Sequence, residues 1–230
     1  MELIINKSIL IFLVFSSLLS FSTEATSRIP SKPTFSFFAS DSPSPSPVEH
    51  SSNLVPFDLK PFLSAHFPNV PPSSIHSSLK HICGVTHNPA KCVSLIAPHM
   101  TGSVNVVSSL HVLIKTLDVL VKNASSIAMK VSKDPSTSFK VEKSLNISLE
   151  QYWKAISNIG KALAAFSVRD YDEVHTMLIA AITNFGFCDE AFYKQGLAKS
   201  PMKDINGFLI EFAAFGVDIS TKLKENIIHF

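Results

Sequence analysis

Few residues of this chain belong to the types that build catalytic motifs. Among 230 residues there are three cysteines, seven glycines and one tryptophan, and only 17% of the chain is charged. No glycine-rich phosphate loop, HExxH pair or serine nucleophile elbow occurs. The nine histidines are scattered, without metal-ligand spacing on one helix face. We therefore expect a protein that is not an enzyme and needs no metal or cofactor.

Strong charge of either sign is also missing. The formal net charge is +2 and no basic stripe is interleaved with aromatic residues, so nucleic acid is not an expected partner. Long apolar runs are absent except at residues 8–21, SILIFLVFSSLLSF, which follow Lys7. This order is typical of a signal peptide over residues 1–25, cleaved near Ala25, and a retained anchor is the alternative. The mature protein is expected to be secreted and free of the membrane.

Prolines are concentrated in the segment that follows the signal peptide. Residues 26–72 contain ten of the fourteen prolines, including SPSPSP at 42–47. Proline at this density removes the hydrogen bonds of helices and sheets. We therefore predict an extended Pro/Ser-rich linker or arm over 26–72, with its phenylalanines in a solvated tail.

Four later segments repeat apolar residues at three- and four-residue spacing, which places them on one face of a helix. The first stripe is Val107, Leu110, Ile114, Leu117, Val121, Ala124, Ala128 and Val131. The second is Val141, Leu145, Ser148, Tyr152, Ala155, Ile159, Ala162 and Phe166. The third is Val174, Leu178, Ala181, Phe185, Cys188 and Phe192, and the fourth is Met202, Ile205, Leu209, Phe212, Gly216, Ile219 and Leu223.

The boundaries of these segments also carry helix signals. Pro135 separates the first from the second, Asp170 and Glu173 resemble a capping box before the third, and Pro201 precedes the fourth. Short connections between long helices make consecutive helices antiparallel. The predicted fold is all-α, an up-down-up-down four-helix bundle within a domain over residues 73–230.

A helical hairpin is predicted before the bundle. Residues 73–82 can form a short helix, and Asn88 can cap a second helix that begins at Pro89. Cys83 and Cys92 bracket this hairpin. In an oxidising compartment a disulfide is the default, and closing so short a loop stabilises by roughly 2–3 kcal/mol in the loop-entropy model.

The alternative for these two cysteines is a zinc site. Such a site needs two further ligands, and His81 and His87 are the only nearby candidates. We therefore favour a structural disulfide between Cys83 and Cys92.

Other polar residues have simple structural interpretations. Asp170, Asp172 and Glu173 stand where acids are favoured by the helix dipole. His175 is interpreted as a surface residue, and Trp153 as half-buried packing beside the core, with a partner anchor as its alternative. Two sequons predict N-glycosylation at Asn123 and Asn146.

The signal peptide, the clipped hairpin and the bundle together resemble the plant invertase and pectin methylesterase inhibitors, over about residues 73–227. The motif CGVTHNPAKC matches the family's order of Cys, Thr three residues later, Pro three after that, and Cys. The stretches SLEQY, SVRDYDEVHTMLIAAIT and CDEAF add to the resemblance. It implies a non-covalent, 1:1 inhibitor that covers the active-site cleft of a secreted plant carbohydrate-active enzyme in the apoplast or cell wall.

One departure from the family concerns a second disulfide, which usually ties the second bundle helix to the third. Cys188 matches its later member, while Ser148 occupies the earlier position. Both residues lie on predicted apolar stripes. We therefore expect Cys188 to be a free, buried thiol. The alternative, a reactive nucleophile, lacks support because no histidine is placed to activate it.

The target enzyme is less clearly indicated. Thr183 matches a threonine of pectin methylesterase inhibitors, but NFGFC at 184–188 replaces the acidic and hydroxyl residues that follow it there. The Pro-Lys-Phe motif of invertase inhibitors is absent, although CDEAF and KSPM are closer to that branch. On family frequency we favour pectin methylesterase, with cell-wall or vacuolar invertase as the alternative. The candidate partner contacts are Thr183, Asp170, Asp172 and Glu173.

Two functions outside inhibition remain open. The proline-rich arm would suit a non-inhibitory cell-wall structural module. A bundle could also carry a small apolar ligand, but stripes of ordinary Leu, Ile, Val, Ala and Phe predict a packed core, which disfavours a carrier.

Overall fold

The computed structural model describes residues 58–67 and 76–228, with side chains at 58–67 and 77–225. The described residues form helices and connecting turns and include no strand. The helices are α1 Leu59–His66, α2 His76–Cys83, α3 Pro89–Ile96, α4 Val106–Ser132, α5 Phe139–Ser167, α6 Tyr171–Lys194 and α7 Lys203–Ile228. A short 3₁₀ turn, Ala97–His99, follows α3. The all-α prediction is confirmed.

Helices α4 to α7 form the predicted four-helix bundle. Each consecutive pair is packed together, and α7 returns to pack against α4, which closes the ring. The connections span 133–138, 168–170 and 195–202, and such short links keep sequential long helices antiparallel. The up-down-up-down prediction is confirmed. None of the described helices is both long enough and apolar enough to cross a membrane.

The core consists of the predicted apolar stripes with few exceptions. Every predicted position on α6 and α7 is buried, and on α5 only Phe166 is partly exposed. On α4 the prediction is wrong for Val107, which is 41% exposed, and Val131 is only partly buried. At 100° per residue, Leu113 and Leu120 lie nearer the centre of the packing face than Val107 does. These two leucines are fully buried, whereas Val107 lies at the edge of the stripe.

The hairpin α2–α3 has the predicted disulfide between Cys83 and Cys92, whose Cα atoms are 5.7 Å apart. Asn88 caps α3 by accepting a hydrogen bond from the backbone N–H of Lys91 at 3.3 Å. The buried hydroxyl of Thr86 donates to the carbonyl oxygen of Cys83 at 2.8 Å, which fixes the turn between the helices. Residues 73–75 of the predicted first hairpin helix lie outside the described residues.

The hairpin is held against α7 by polar contacts. The ring of His87 stacks on Phe215, with ring centres 4.9 Å apart, and its Nδ1 lies 3.1 Å from a carboxylate oxygen of Asp218. Lys91 forms an ion pair with Glu211. These contacts join the disulfide-closed segment to the last bundle helix.

Helix α1 differs from the extended arm predicted for 26–72. Asp58 caps it by accepting from the N–H of Lys60 at 2.9 Å, and Pro61 lies in the first turn, where its missing N–H costs little. Phe62 is buried against Phe208, with ring centres 6.2 Å apart. The prediction of a solvated tail is therefore wrong for 59–67, because tertiary aromatic contacts stabilise a helix that composition alone disfavours. The predicted signal peptide 1–25 and the remainder of the arm lie outside the described residues.

Candidate partner-binding surface on helix α6

The surface that contains the predicted contact residues is the solvent-facing side of α6. We call it the outer face of α6 and define it by Asp172, Thr176, Ile179, Thr183, Gly186, Phe187 and Tyr193, all of which are exposed. Ile179 is 44% and Phe187 is 47% exposed, a large apolar area for a helix surface. The opposite side of α6 carries the buried stripe. The helix thus places an apolar strip in solvent on a rigid support.

The four predicted contact residues lie at two places on this helix. Asp170 is the N-cap, and its carboxylate accepts from the N–H of Glu173 at 3.0 Å, which is one half of the expected capping box. Asp172 and Thr183 are eleven residues apart, which is three turns, so they share one face about 16 Å apart. The structure therefore separates an acidic end of α6, Asp170 to Glu173, from Thr183 near the middle.

The middle of the outer face is uncharged. Residues 174–188 contain no Asp, Glu, Lys or Arg. The acidic end is partly neutralised, since Asp172 forms an ion pair with Lys224 at 2.7 Å. The Thr183 hydroxyl donates to the carbonyl oxygen of Ile179 at 3.0 Å and can still accept a hydrogen bond. A partner that contacts the middle of this face therefore meets apolar side chains and the hydroxyls of Thr176 and Thr183, and no charged group.

His175 lies on the side of α6 next to Lys224. Its pKa is lowered because burial disfavours the charged ring and because Lys224 repels it, with a smaller opposing effect from Asp172. The imidazole is half-buried rather than an exposed surface group. The neutral form of the ring is therefore favoured relative to that of a free imidazole.

Within the described residues, this face has neither a metal-binding cluster nor a reactive thiol. These residues contain no cluster of three or more His, Cys, Asp or Glu placed to hold a metal ion. Cys188 lies on the buried side of the helix, and burial, together with the neighbouring charge of Asp189, raises its pKa to about 12. A thiol with this pKa is protonated and unreactive at neutral pH. The arrangement suits binding.

Comparison with protein families identifies the chain. The family model of the plant invertase/pectin methylesterase inhibitors matches residues 77–219, more than half of the 230 residues. The chain belongs to this inhibitor family. No curated protein matches the sequence. The match begins at the hairpin and ends in α7, so it includes the disulfide and the outer face of α6.

Two solved structures of pectin methylesterase inhibitors from Arabidopsis match this chain. The first, of a mutant form, is 15% identical, has a TM-score of 0.55, and covers 63% of this chain and 96% of its own. The other is 16% identical, has a TM-score of 0.49, and covers 64% of this chain and 97% of its own. At such identity the first structure supports the fold of the inhibitor domain and nothing finer.

As an inhibitor-family domain, the bundle has two features that the sequence did not indicate. A buried polar chain links three helices: the hydroxyl of Tyr152 donates to Asn206, whose Nδ2 donates to Asp189 at 2.7 Å. Burial raises the pKa of Tyr152 far above its ordinary value. Asn206 lies one residue beyond the stripe position Ile205, and only its polar partners on other helices explain its burial.

The second feature is the exposure of single aromatic residues. Trp153 is exposed rather than half-buried, which corrects the packing interpretation. Phe187 is exposed on the outer face of α6 beside the buried Cys188. The exposure of Phe187 could have been predicted from the sequence, because Phe187 falls outside the apolar stripe of α6 and replaces a polar residue.

The two sequon asparagines have different surroundings in the inhibitor domain. Asn146 is exposed on α5, and its side-chain oxygen accepts from Ser132 at 2.9 Å. Asn123 on α4 is half-buried, and its Nδ2 contacts Nε2 of His66 in α1. Asn123 is therefore less accessible than Asn146.

Proposed function

We propose that this chain is a secreted, non-enzymatic inhibitor of pectin methylesterase that binds the enzyme non-covalently, one to one, and covers its active-site cleft. Membership of an inhibitor family supports the general class, and the solved relative with the same fold is a pectin methylesterase inhibitor. The exposed apolar strip on α6 is the observation that supports the choice of this helix as the binding surface. The chain acts in the apoplast or cell wall and needs no metal or cofactor.

The outer face of α6 provides the binding contact. Ile179 and Phe187 are eight residues apart and Thr183 lies between them, so the three side chains form one row along slightly more than two turns. Burying exposed aromatic and aliphatic side chains is the main source of affinity in small interfaces, and Phe187 is the candidate hot spot. Thr183 contributes a hydrogen-bond acceptor within the apolar row.

The acidic end of α6 sets the orientation of the partner. Asp170, Asp172 and Glu173 lie together at the start of the helix and would face basic groups beside the target's cleft. Exposed charges of this kind mainly affect association rate and salt dependence. The rigid bundle loses little conformational entropy on docking, which favours binding through a preformed helix face.

The proposal is tested by titrating the purified protein separately against a plant pectin methylesterase and a plant acid invertase, between about pH 5 and about pH 7. The variant Phe187→Asp removes the aromatic side chain of the candidate hot spot. Phe139→Asp is the matched control, since Phe139 is an exposed aromatic residue, 77% accessible, at the start of α5. We expect inhibition of the methylesterase to weaken roughly 100-fold in Phe187→Asp and to stay unchanged in Phe139→Asp.

Each other result has a defined meaning. Inhibition of invertase alone would contradict the choice of target while leaving the inhibitor class intact. Full activity of both enzymes at micromolar excess would contradict inhibition and favour a structural module of the cell wall. Equal loss in both variants would contradict the assignment of the binding surface to α6.

A further inference from the structure

A basic cleft lies on the other side of the domain, between α1, the 3₁₀ turn and α4. Its volume is about 550 Å³, which is within the range of small-ligand sites. Four ionisable side chains line it, namely His66, His99, His111 and Lys115, and all four are basic. No carboxylate lines it. A ligand in this cleft would therefore meet only positive or neutral groups.

His99 lines the cleft, and one of its ring nitrogens lacks a hydrogen-bond partner among the described residues. This nitrogen, Nε2, is buried. The ring is held edge-on by Phe67, with ring centres 5.2 Å apart. Burial lowers the pKa of His99, and the nearby His66 lowers it further. Buried polar atoms in proteins nearly always have partners, so this nitrogen is a candidate ligand contact.

His66 forms part of one wall of the cleft, and its ring is fixed by two hydrogen bonds. Its Nδ1 donates to the carbonyl oxygen of Phe62 at 2.8 Å, which leaves Nε2 to accept from Asn123. Both ring nitrogens are therefore engaged within the protein. The groups that remain for a ligand are His99, His111 and Lys115.

His111 and Lys115 lie four residues apart on α4, which places them side by side. The ring of His111 stacks on Phe166 with centres 4.9 Å apart, and its pKa is lowered by burial and by the charge of Lys115. Lys115 takes part in none of the ion pairs among the described residues. The nearby Asp118 is paired with Lys122 at 2.6 Å. The positive charge of Lys115 is thus left without compensation.

We propose that this cleft binds the carboxylate of a sugar acid, as a short uronic acid oligomer. The carboxylate would contact Lys115, His99 and His111. The lining also offers the hydroxyl of Thr101 and the exposed side chain of Val119, which suit the hydroxyl groups and the apolar ring face of a sugar. The choice of a uronic acid rests on the proposed function, since hydrolysis of pectin methyl esters yields methanol and galacturonate carboxylates. The inhibitor would then bind the product of its target enzyme.

Binding should strengthen as pH falls. A bound carboxylate stabilises protonated His99 and His111, whose charged forms are disfavoured in the empty cleft. The other charged or titratable groups around them are His66 on α1, Lys115 on α4, and the Asp118–Lys122 pair on α4. None of these is an unpaired acid that would cancel the effect.

Calorimetry on the full chain tests the proposal. The probes are trigalacturonate, its uncharged methyl ester and inorganic phosphate, at about pH 5 and about pH 7.5. We expect trigalacturonate to bind at the lower pH, at least about 10-fold tighter than at the higher pH, and the methyl ester to bind about 10-fold more weakly or not at all. Lys115→Gln should weaken trigalacturonate binding about 10-fold. Lys140→Gln, which removes an exposed lysine of α5 outside the cleft, should leave it unchanged.

Several results would overturn the proposal. The first is that trigalacturonate does not bind at millimolar concentration, and the second is that the ester or phosphate binds as tightly as trigalacturonate. The third is that Lys115→Gln keeps both its thermal midpoint and its affinity for trigalacturonate. Because the assay contains no enzyme, its failure does not affect the proposed inhibition. Binding of trigalacturonate by a protein that inhibits no methylesterase would contradict only the proposed function.

Discussion

Ser148 and Cys188 exchange hydrogen bonds across the interface of α5 and α6. The hydroxyl of Ser148 donates to the carbonyl oxygen of Cys188 at 3.2 Å, and the thiol donates to the carbonyl oxygen of Ser148 at 3.6 Å. Both side chains are fully buried. These are the two positions at which the family resemblance implies a second disulfide, and here the side chains pack together without a covalent bond.

Restoring the cysteine should therefore restore the bond. We expect Ser148→Cys to form a disulfide with Cys188 on oxidative refolding and to raise the free energy of unfolding by about 4 kcal/mol, the loop-entropy value for a separation of forty residues. Thiol titration in denaturant should then find no free cysteine, against one in the natural sequence. Denaturant unfolding gives the stability difference.

Ser144→Cys is the matched control for this substitution. Ser144 is also buried on α5, one turn away, and its hydroxyl contacts the carbonyl oxygen of Ala191 instead of Cys188. Two free thiols are expected in this variant. A disulfide in both variants, or in neither, would show that α5 and α6 are not in the register described.

Gly216 lies where helices α4, α6 and α7 approach one another closely. A Cβ added there would lie 2.8 Å from Leu113 of α4 and 2.9 Å from Leu178 of α6. Both leucines are fully buried and have little room to move. Gly216→Ala should therefore lose roughly 1–3 kcal/mol of stability through overpacking, in spite of the better helix propensity of alanine.

Gly207 on the same helix gives the comparison. It is exposed, and a Cβ added there has no neighbour within 4 Å. Gly207→Ala should raise the stability by up to about 1 kcal/mol through helix propensity alone. Thermal or denaturant unfolding of the two variants measures the difference. Stabilisation in both would mean that α7 lies farther from α4 and α6 than described.

The bundle could be predicted because its signal is local and repeated. Twenty-one stripe positions on α5, α6 and α7 were read from a period of three to four residues, and they are buried apart from Phe166. Helix α1 could not be predicted in this way. It is a single eight-residue helix in a proline-rich segment, and its stability depends on contacts of Phe62 and Phe67 with Phe208 on distant α7.

The residues of the candidate sites also differ in whether the sequence could predict them. Exposure of Thr183 follows from its position opposite the stripe of α6, so the sequence was sufficient to place it on the surface. The basic cleft was not predictable, because His66, His99 and Lys115 come from three elements that only the tertiary fold brings together. The chain Tyr152–Asn206–Asp189 was missed for the same reason.

Two aspartates should give opposite pH dependences of stability. The pKa of Asp189 is raised in the folded protein, first by burial, against hydrogen bonds from Asn206 and Ser200 and the charge of Lys203. The native state then holds a proton that the unfolded state has lost, so stability falls as pH rises from the ordinary value near 3.8 through the raised pKa. Asp189→Asn should abolish this loss, so its stability relative to the natural protein rises over that interval.

Asp134 gives the opposite sign. Hydrogen bonds from Ser136 lower its pKa, so its stabilising contribution is present above the ordinary value near 3.8 and disappears as pH falls through the lowered pKa. Relative to the natural protein, Asp134→Asn should become less stable as pH rises through the same region. Urea unfolding at intervals between about pH 3 and about pH 6 measures both variants. Slopes of the same sign would contradict the assignment of burial to Asp189.

Glycosylation at Asn123 should be incompatible with a docked α1. The atom that would carry the sugar, Nδ2, is the atom that contacts Nε2 of His66. Attachment occurs before folding, so an Asn123-linked glycan would displace α1 from α4 and expose the Phe62–Leu63 bond. In protein from a eukaryotic secretory host, we expect the Asn123 glycoform to be cleaved there by chymotrypsin about 10-fold faster than chains without that glycan.

Asn146 provides the internal control for this prediction. It is exposed on α5, and its side chain contacts Ser132 of α4. A glycan at Asn146 should therefore leave cleavage at Phe62 unchanged. Separation of the glycoforms, followed by timed digestion and mass spectrometry, gives both rates. Equal protection of Phe62 with and without the Asn123 glycan would show that docking of α1 does not depend on the His66 contact.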